Sequence, residues 1–380
     1  MLFRSLESNM VLDAEDNVYL STGRQVKKYG ADGQLQWNID EQATNVNYAT
    51  DGSIVIIEEK RDEGMSDELV KIDSYGEELW RIALGKDGII WQTTPGDDGV
   101  TYVIDSEKYE SLRLYKIDES GTVVWARSLS EMNYLGYSSL VYNWNGVIFV
   151  QAYTSNYEQV MYVIDEDGEL LLFDSKIEWL GFSAYLHIDS DGCLWSYFPE
   201  NILNTPEDAY HIRPRVIRQY DESLSMLVAM NPQAIDVIQS FQLDSGNNII
   251  IFGSPYNPPS NIDDGSREEE QGVIVEKMSY ESESLWHIQT SDHRYPLFFG
   301  VDSHDYIFWL EGFRSPKSIN YLYRASPLGE FLWKKRFDLG IVFQNLKIDH
   351  HDNVVLLYTR QVVAKDNDDD DDDEPGCGCF

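Results

Sequence analysis

The chain has 380 residues, 42% of them hydrophobic and 13% aromatic, which is ample for a large core. Its 66 acidic residues against 29 basic ones leave a formal net charge of -37, which repels phosphate backbones and argues against nucleic-acid binding. The 3 cysteines form no disulfide framework, no apolar run approaches the ~20 residues of a membrane helix, and no apolar signal core follows Met1, so a reducing, cytoplasmic setting is expected.

The predicted elements are short strands. The first unit starts with an apolar run ending in Asp13, turns through Ala14-Glu15-Asp16-Asn17 into Val18-Tyr19-Leu20, continues in Gln25 to Tyr29, turns at Asp32-Gly33 and ends on Trp37. Alternating apolar residues between Asp, Gly and Asn turns mark antiparallel hairpins, and the runs are too short for ordinary helices. The closing stretch, glycine then three residues then tryptophan, recurs at Gly76 to Trp80, Gly121 to Trp125 and Gly329 to Trp333, with Asp73 and Asp118 three residues before the glycine in two copies. Recurrence of one supersecondary unit defines a repeat protein, whose units stack into a continuous core.

The second unit runs from about Val46 to Leu84 and the third from Gln92 to Leu129. The fourth carries Asn145-Gly146 and Asp167-Gly168, with Leu172 at the tryptophan position. The fifth starts near Tyr185 and ends with Leu224 for the glycine and Val228 for the tryptophan. The sixth has Ser282 for the glycine and ends on Trp286, and the seventh ends on Trp333. An eighth begins at Leu346-Lys347-Ile348-Asp349, and its Asn353 to Lys365 align without gaps on Asn17 to Tyr29, but it lacks a fourth strand. Leu2 to Leu6 resembles Trp125 to Leu129 and is expected to supply that strand, closing a ring and removing the open sheet edge. The expected fold is all-β, an eight-bladed β-propeller of four-stranded antiparallel blades over 1–365, with seven blades as the alternative. Residues 366–380 are expected to form a disordered acidic tail ending in Cys-Gly-Cys-Phe.

This Asp-x-x-Gly-x-x-x-Trp repeat resembles the quinoprotein-type (PQQ-like) propeller repeat over nearly the whole chain, although the threonine usual after the glycine occurs only as Thr122. The resemblance implies either a pyrroloquinoline-quinone dehydrogenase or a non-catalytic scaffold such as the outer-membrane assembly lipoprotein propeller. The adjacent cysteine pair common in the dehydrogenases is missing, since Cys193 stands alone. The expectation is therefore the scaffold branch, with no enzyme activity and no cofactor.

In a four-stranded blade the loops between strands two and three share one face with the blade connectors. Here these vary most, in Glu59 to Asp67, Pro199 to Pro214, Ser254 to Gly272 and Glu311 to Ser318. Long, variable loops on a rigid scaffold are where binding concentrates, which makes Tyr256, Phe313 and Arg314 the candidate contacts for a protein partner. The acidic surface would steer a basic partner toward a monomeric scaffold. Asp165-Glu166-Asp167-Gly168 and Asp189-Ser190-Asp191-Gly192 start like calcium loops but run at once into strands, so they read as hairpin turns. His350-His351 reads as a solvated turn, no histidine spacing fits a zinc site, and no metal is expected. Cys377 and Cys379 are candidate modification sites, because Cys377 stands where a prenylated cysteine would. The acidic residues upstream disfavour an anionic membrane, which enters only if that cysteine is lipidated.

Overall fold

The computed structural model describes the chain except residues 1–8, 61–65, 85–87, 108–110, 130–133, 143–145, 155–158, 178–185, 189–192, 199–215, 221–225, 231, 236, 256–271, 291–294, 313–318, 338–340, 361–374 and 380. The described residues form seven four-stranded sheets and one three-stranded sheet. In chain order, sheet A holds Asn9–Leu12, Val18–Ser21, Val26–Tyr29 and Leu35–Ile39, and sheet B holds Ala43–Tyr48, Ile54–Glu58, Glu68–Ile72 and Glu78–Ala83. Sheet C holds Gly88–Pro95, Thr101–Glu107, Ser111–Ile117 and Val123–Ser128, and sheet D holds Tyr134–Tyr142, Val147–Thr154, Gln159–Asp165 and Leu170–Ile177. Sheet E holds Leu186–Ile188, Leu194–Phe198, Val216–Tyr220 and Met226–Met230. Sheet F holds Val237–Leu243, Ile249–Ser254, Ile274–Met278 and Ser284–Gln289, and sheet G holds Tyr295–Val301, Ile307–Gly312, Asn320–Ala325 and Phe331–Phe337. Sheet H holds Ile341–Ile348, Val354–Arg360 and Pro375–Cys379. Each sheet is an up-and-down meander in which sequential strands pair.

The chain divides into two compact units, one of residues 1–196 with 219–227 and one of residues 197–218 with 228–380. In the first unit the apolar side chains interlock between successive sheets. Tyr19 and Val26 of sheet A pack with Ile54, Ile56 and Val70 of sheet B. Val55, Ile57 and Leu69 of sheet B pack with Val103 and Ile117 of sheet C. Tyr102, Ile104 and Leu114 of sheet C pack with Ile148, Val150 and Tyr162 of sheet D. The second unit repeats the pattern, with Ile250 and Phe252 of sheet F against Trp309 and Tyr323 of sheet G, and Phe308 and Leu310 of sheet G against Phe343 and Leu356 of sheet H. Each sheet alone exposes an apolar face, and stacking on the next removes it from water.

The repeated motif has a defined local cause. The third hairpin turn of sheet B has Asp73 N–H donating to Glu77 O and Gly76 N–H to Asp73 O, while Asp73 Oδ1 accepts from the amides of Tyr75 and Glu77. Asp118 and Asp165 do the same in sheets C and D. The aspartate satisfies turn amides, and the fourth turn residue needs a left-handed backbone, with φ of +91° at Gly76 and +84° at Gly121. Asp165 to Gly168 is thus a hairpin turn, while Asp189 to Gly192 lies outside the described residues.

The tail differs from expectation at one point. The gapless alignment puts the third strand of the last unit within 361–365, which lie outside the described residues with the acidic run 366–374. Pro375–Cys379 forms a strand antiparallel to Val354–Arg360, with Cys377 opposite Leu357 and Cys379 opposite Val355, where the sequence predicts the end of an unstructured tail. The third-strand slot beside Val354–Arg360 offers unpaired backbone groups, and any sterically permissive segment can satisfy them. The proposed closing strand Leu2 to Leu6 lies outside the described residues.

Candidate functional site

Tyr256, Phe313 and Arg314, the predicted binding residues, all lie outside the described residues. Cys377 and Cys379 are placed by backbone only, in the last strand of sheet H. What the described residues bring together is a different site, and it arises from the way one sheet meets the next.

Four of the five repeat tryptophans reach forward to the following sheet. Trp37 Nε1 donates to Ser74 O at 3.1 Å, Trp80 Nε1 to Glu119 O at 3.0 Å, Trp125 Nε1 to Glu166 O at 3.0 Å and Trp286 Nε1 to Pro327 O at 3.1 Å. In every case the acceptor is the second residue of the next sheet's third turn, and the indole lies against that turn's glycine. A Cβ on Gly76, Gly121, Gly168 or Gly329 would stand 3.2, 2.7, 2.9 or 2.6 Å from the tryptophan concerned. These four tryptophans are joints between sheets.

Sequence reasoning missed the residue facing each tryptophan across the third and fourth strands. Lys28 pairs with Trp37, Lys71 with Trp80, Lys116 with Trp125, Lys277 with Trp286 and Arg324 with Trp333. Three of these lysines donate to the carbonyl that also accepts from the indole: Lys28 to Ser74 O, Lys116 to Glu166 O and Lys277 to Pro327 O. Lys71 instead meets Gly99 O at 3.0 Å and the Asp51 carboxylate at 2.6 Å. Lys277 also pairs with Asp244 at 2.6 Å, both side chains being nearly inaccessible. A signal for these cations is present in the sequence, since each stands five residues before the turn glycine or its serine substitute.

Sheet G breaks the pattern. Trp333 is 36% exposed, and among the described residues no carbonyl accepts from its indole. A cavity of about 710 Å³ opens beside it, walled by Phe308, Leu322, Arg324, Trp333, Lys334, Lys335 and Arg336 from sheet G and by Asp352, Asn353 and Val354 from sheet H. Trp333 and Phe308 meet edge to face at 6.2 Å. The Arg324 guanidinium stacks 4.2 Å over Tyr306 and 5.0 Å over Phe308. It meets the Asp302 carboxylate at 3.7 Å, and among the described residues its buried Nε has no hydrogen-bond partner. Lys334 points to the opposite face of sheet G, where it lies 3.9 Å over the Tyr321 ring and 5.1 Å over Tyr323, so Arg324 and Lys335 are the cations on the cavity face. The site combines cations with aromatic faces, a mixture suited to negatively charged or aromatic groups.

The acidic component of the wall is already engaged. Asp352 accepts from Ser303 N at 2.8 Å, from Ser303 Oγ at 2.9 Å and meets His304 Nδ1 at 2.6 Å. The Ser303 amide leads the causes that hold the Asp352 carboxyl below the usual range, with the Ser303 hydroxyl and His304 adding to it. Asp302, His304 and Asp352 bring one donor atom each within 4.8 Å of one another, which is enough to contact a cation. Asp302 Oδ1, however, accepts from the amides of His304 and Tyr306, so these groups act chiefly as turn fasteners.

No protein-family model matches the chain, and no curated protein matches its sequence. Solved structures do resemble it in fold. The WD40 domain of SCAP from fission yeast superposes with a TM-score of 0.52 at 11% identity, covering 93% of this chain and 94% of that one. A catalytically inactive virginiamycin B lyase from Staphylococcus aureus with quinupristin gives 0.51 at 11% identity, covering 89% and 98%. The β-propeller domain of the Trilobed protease from Pyrococcus furiosus gives 0.51 at 10% identity, covering 84% and 91%. At these identities the likeness shows the fold alone: the chain is an all-β propeller of four-stranded antiparallel blades.

Proposed function

We propose that this propeller is a non-enzymatic, cytoplasmic interaction scaffold of the quinoprotein-type repeat, with each of its eight sheets one blade, and that it binds a protein partner as a monomer. The observation that carries the reading is the cavity at Trp333. Four of the repeat tryptophans are spent on sheet-to-sheet joints. The fifth stands at the surface among cations and beside exposed Leu328, Phe331 and Leu332. Exposed apolar groups rimmed by charge mark protein contact sites. Propellers serve scaffolds and enzymes alike, so the fold favours neither, and the reading rests on this surface. The tail reading, with Cys377 and Cys379 presented for lipidation, carries less weight because Pro375–Cys379 is paired into sheet H.

The test is crosslinking and affinity capture of the tagged chain from its source cells, followed by purification of the complex. A partner retained at defined stoichiometry is expected. A chain that always elutes alone, or that turns over a substrate in the absence of a partner, would overturn the scaffold reading.

A further inference from the structure

We propose that the cavity between sheets G and H is the docking site for a β-turn of the partner protein, with a free backbone carbonyl at its second position and glycine at its fourth. The inference rests on the scaffold reading and specifies its ligand chemistry.

The other joints of the chain supply the template. Trp37, Trp80, Trp125 and Trp286 each donate from Nε1 to the carbonyl of the second residue in the next sheet's third turn. The fourth residue of each of these turns is a glycine with φ between +80° and +91°. A Cβ on that glycine would stand 2.6 to 3.2 Å from the indole. Two features of the turn thus fit it to a tryptophan: an outward carbonyl and a bare Cα in the left-handed region.

Sheet G has the tryptophan without the turn. Among the described residues no carbonyl accepts from Trp333 Nε1, and Trp333 is 36% exposed where Trp80 is 9% exposed. Strand register gives the reason. In sheets B, C and G the third turn begins directly after the residue opposite the first residue of the second strand. Asp73 follows Ile72, opposite Ile54; Asp118 follows Ile117, opposite Thr101; Ser326 follows Ala325, opposite Ile307. In sheet H the second strand begins at Val354, and the third strand is described as far as Cys379, opposite Val355. Among the described residues no turn follows it. The cavity opens between Trp333 and Val354, the place that a covering turn takes in the other joints.

Size and chemistry fit the same occupant. The volume of about 710 Å³ lies in the range of roughly 300–1,000 Å³ typical of ligand pockets and exceeds what a single ion needs. Phe308 and Leu322 extend the apolar wall beside the indole. Covering the exposed part of Trp333 supplies the driving force, and the indole donor with the close approach at glycine supplies the specificity. A second copy of the chain has turns of this kind, but it brings another net charge of -37, and like-charge repulsion opposes that pairing.

The test uses the full chain and a fluorescein-labelled cyclic peptide containing Ile-Asp-Ser-Tyr-Gly-Glu, the sequence of Ile72 to Glu77, read by fluorescence anisotropy. Cyclisation holds the turn that a short linear peptide would not keep. The same ring with Ala for Gly is the control. The glycine ring is expected to bind at least about 10-fold more tightly than the alanine ring, and W333A to bind it at least about 10-fold more weakly than wild type, equivalent to about 1.4 kcal/mol. W333F keeps an aromatic ring and removes only the Nε1 donor, so its melting temperature should hold while binding weakens about 3-fold. No binding, equal binding of the two rings, or binding unchanged in W333A and W333F would overturn the proposal. Binding that appears only after deletion of Met1 to Ser8 would also overturn it, in favour of the chain's own N-terminal segment as occupant. A wild-type dimer that W333A dissociates would overturn it in favour of a second copy. A captured partner that both wild type and W333A retain sinks this site while leaving the scaffold reading intact, whereas no partner with either sinks the scaffold reading itself.

Discussion

Gly121 lies directly beneath the indole of Trp80. The Trp80 Nε1 bonds to Glu119 O in the same turn, and a Cβ on Gly121 would stand 2.7 Å from Trp80 Cγ. Gly121 also has φ of +84°, a conformation that favours glycine. Two penalties therefore act together in Gly121→Ala: left-handed strain of roughly 1–2 kcal/mol and displacement of a packed indole costing about 1–3 kcal/mol. The variant is expected to lose roughly 2–5 kcal/mol in urea denaturation. Gly33→Ala is the control. It has φ of +75° but no atom within 4 Å of the added Cβ, so it should show the strain alone. Equal losses in the two variants would show that the tryptophan contact contributes nothing.

Trp80→Phe isolates the other half of the same joint. It keeps most of the ring, and it deletes the Nε1 donor that satisfies Glu119 O. The loss of the hydrogen bond should cost about 0.5–1.5 kcal/mol, with a further small loss from the reduced ring area. Stability in urea is the readout, and a variant as stable as wild type would mean that water replaces the indole at no cost.

Much of this joint is legible in the sequence. The Gly-x-x-x-Trp spacing and the Asp-x-x-Gly turns are local chemistry, so the residues alone mark where sheets A, B, C and G end. The facing cations Lys28, Lys71, Lys116, Lys277 and Arg324 are harder to recognise, because lysine at the end of a strand looks like an ordinary solvated side chain until cross-strand register is known. The same holds for Trp333-Lys334-Lys335-Arg336. The run is plain in the sequence, but that no turn among the described residues covers this tryptophan is a relation between sheets G and H. The gapless alignment to Gln25 to Tyr29 carries on past Arg360 into residues outside the described ones, while the strand paired with Val354–Arg360 is Pro375–Cys379, which no repeat motif marks.

The buried pair of Lys277 and Asp244 makes stability depend on acid. Burial disfavours the Asp244 carboxylate, but the hydrogen bonds from Lys277 and Asn248 outweigh it and hold the carboxyl below its usual value. A carboxyl depressed in the folded state contributes stability that is fully present above its unfolded value of about 3.9 and is lost as pH falls through the folded value. Wild type should therefore lose stability between about pH 4 and more acid conditions, and Asp244→Asn should lose less over that range. At neutral pH Asp244→Asn leaves the Lys277 ammonium buried without its partner charge, and the expected loss is roughly 3–5 kcal/mol. Urea denaturation across pH reads both effects. A parallel pH dependence in the two proteins would assign the acid sensitivity elsewhere.

The first turns of sheets F and G are fastened by a repeated contact. Ser245 donates from its amide at 2.7 Å and its hydroxyl at 2.6 Å to Asp305, one sheet further on, and Asp305 itself has φ of +64°. Asp305→Ala loses both acceptors and places alanine in the left-handed region, so roughly 2–3 kcal/mol should be lost. Asp305→Gly relieves the backbone and loses only the acceptors, and it should be the milder of the two by about 1 kcal/mol. If alanine and glycine destabilise equally, backbone conformation at this position carries no energetic weight.

Trp333 should be the cheapest repeat tryptophan to remove. Trp80 is 9% exposed and wedged against a turn glycine, whereas Trp333 is 36% exposed and its floor is an open cavity. Trp80→Ala removes a packed indole and leaves a void, which costs about 3–5 kcal/mol. Trp333→Ala forfeits only the area it shares with Phe308 and its neighbours, at roughly 1–2 kcal/mol by area burial. Thermal and urea denaturation of the two variants side by side give the comparison. A Trp333→Ala variant as damaged as Trp80→Ala would make Trp333 one more joint between sheets. The small loss expected here would mark Trp333 as a repeat tryptophan that the joints between sheets do not need.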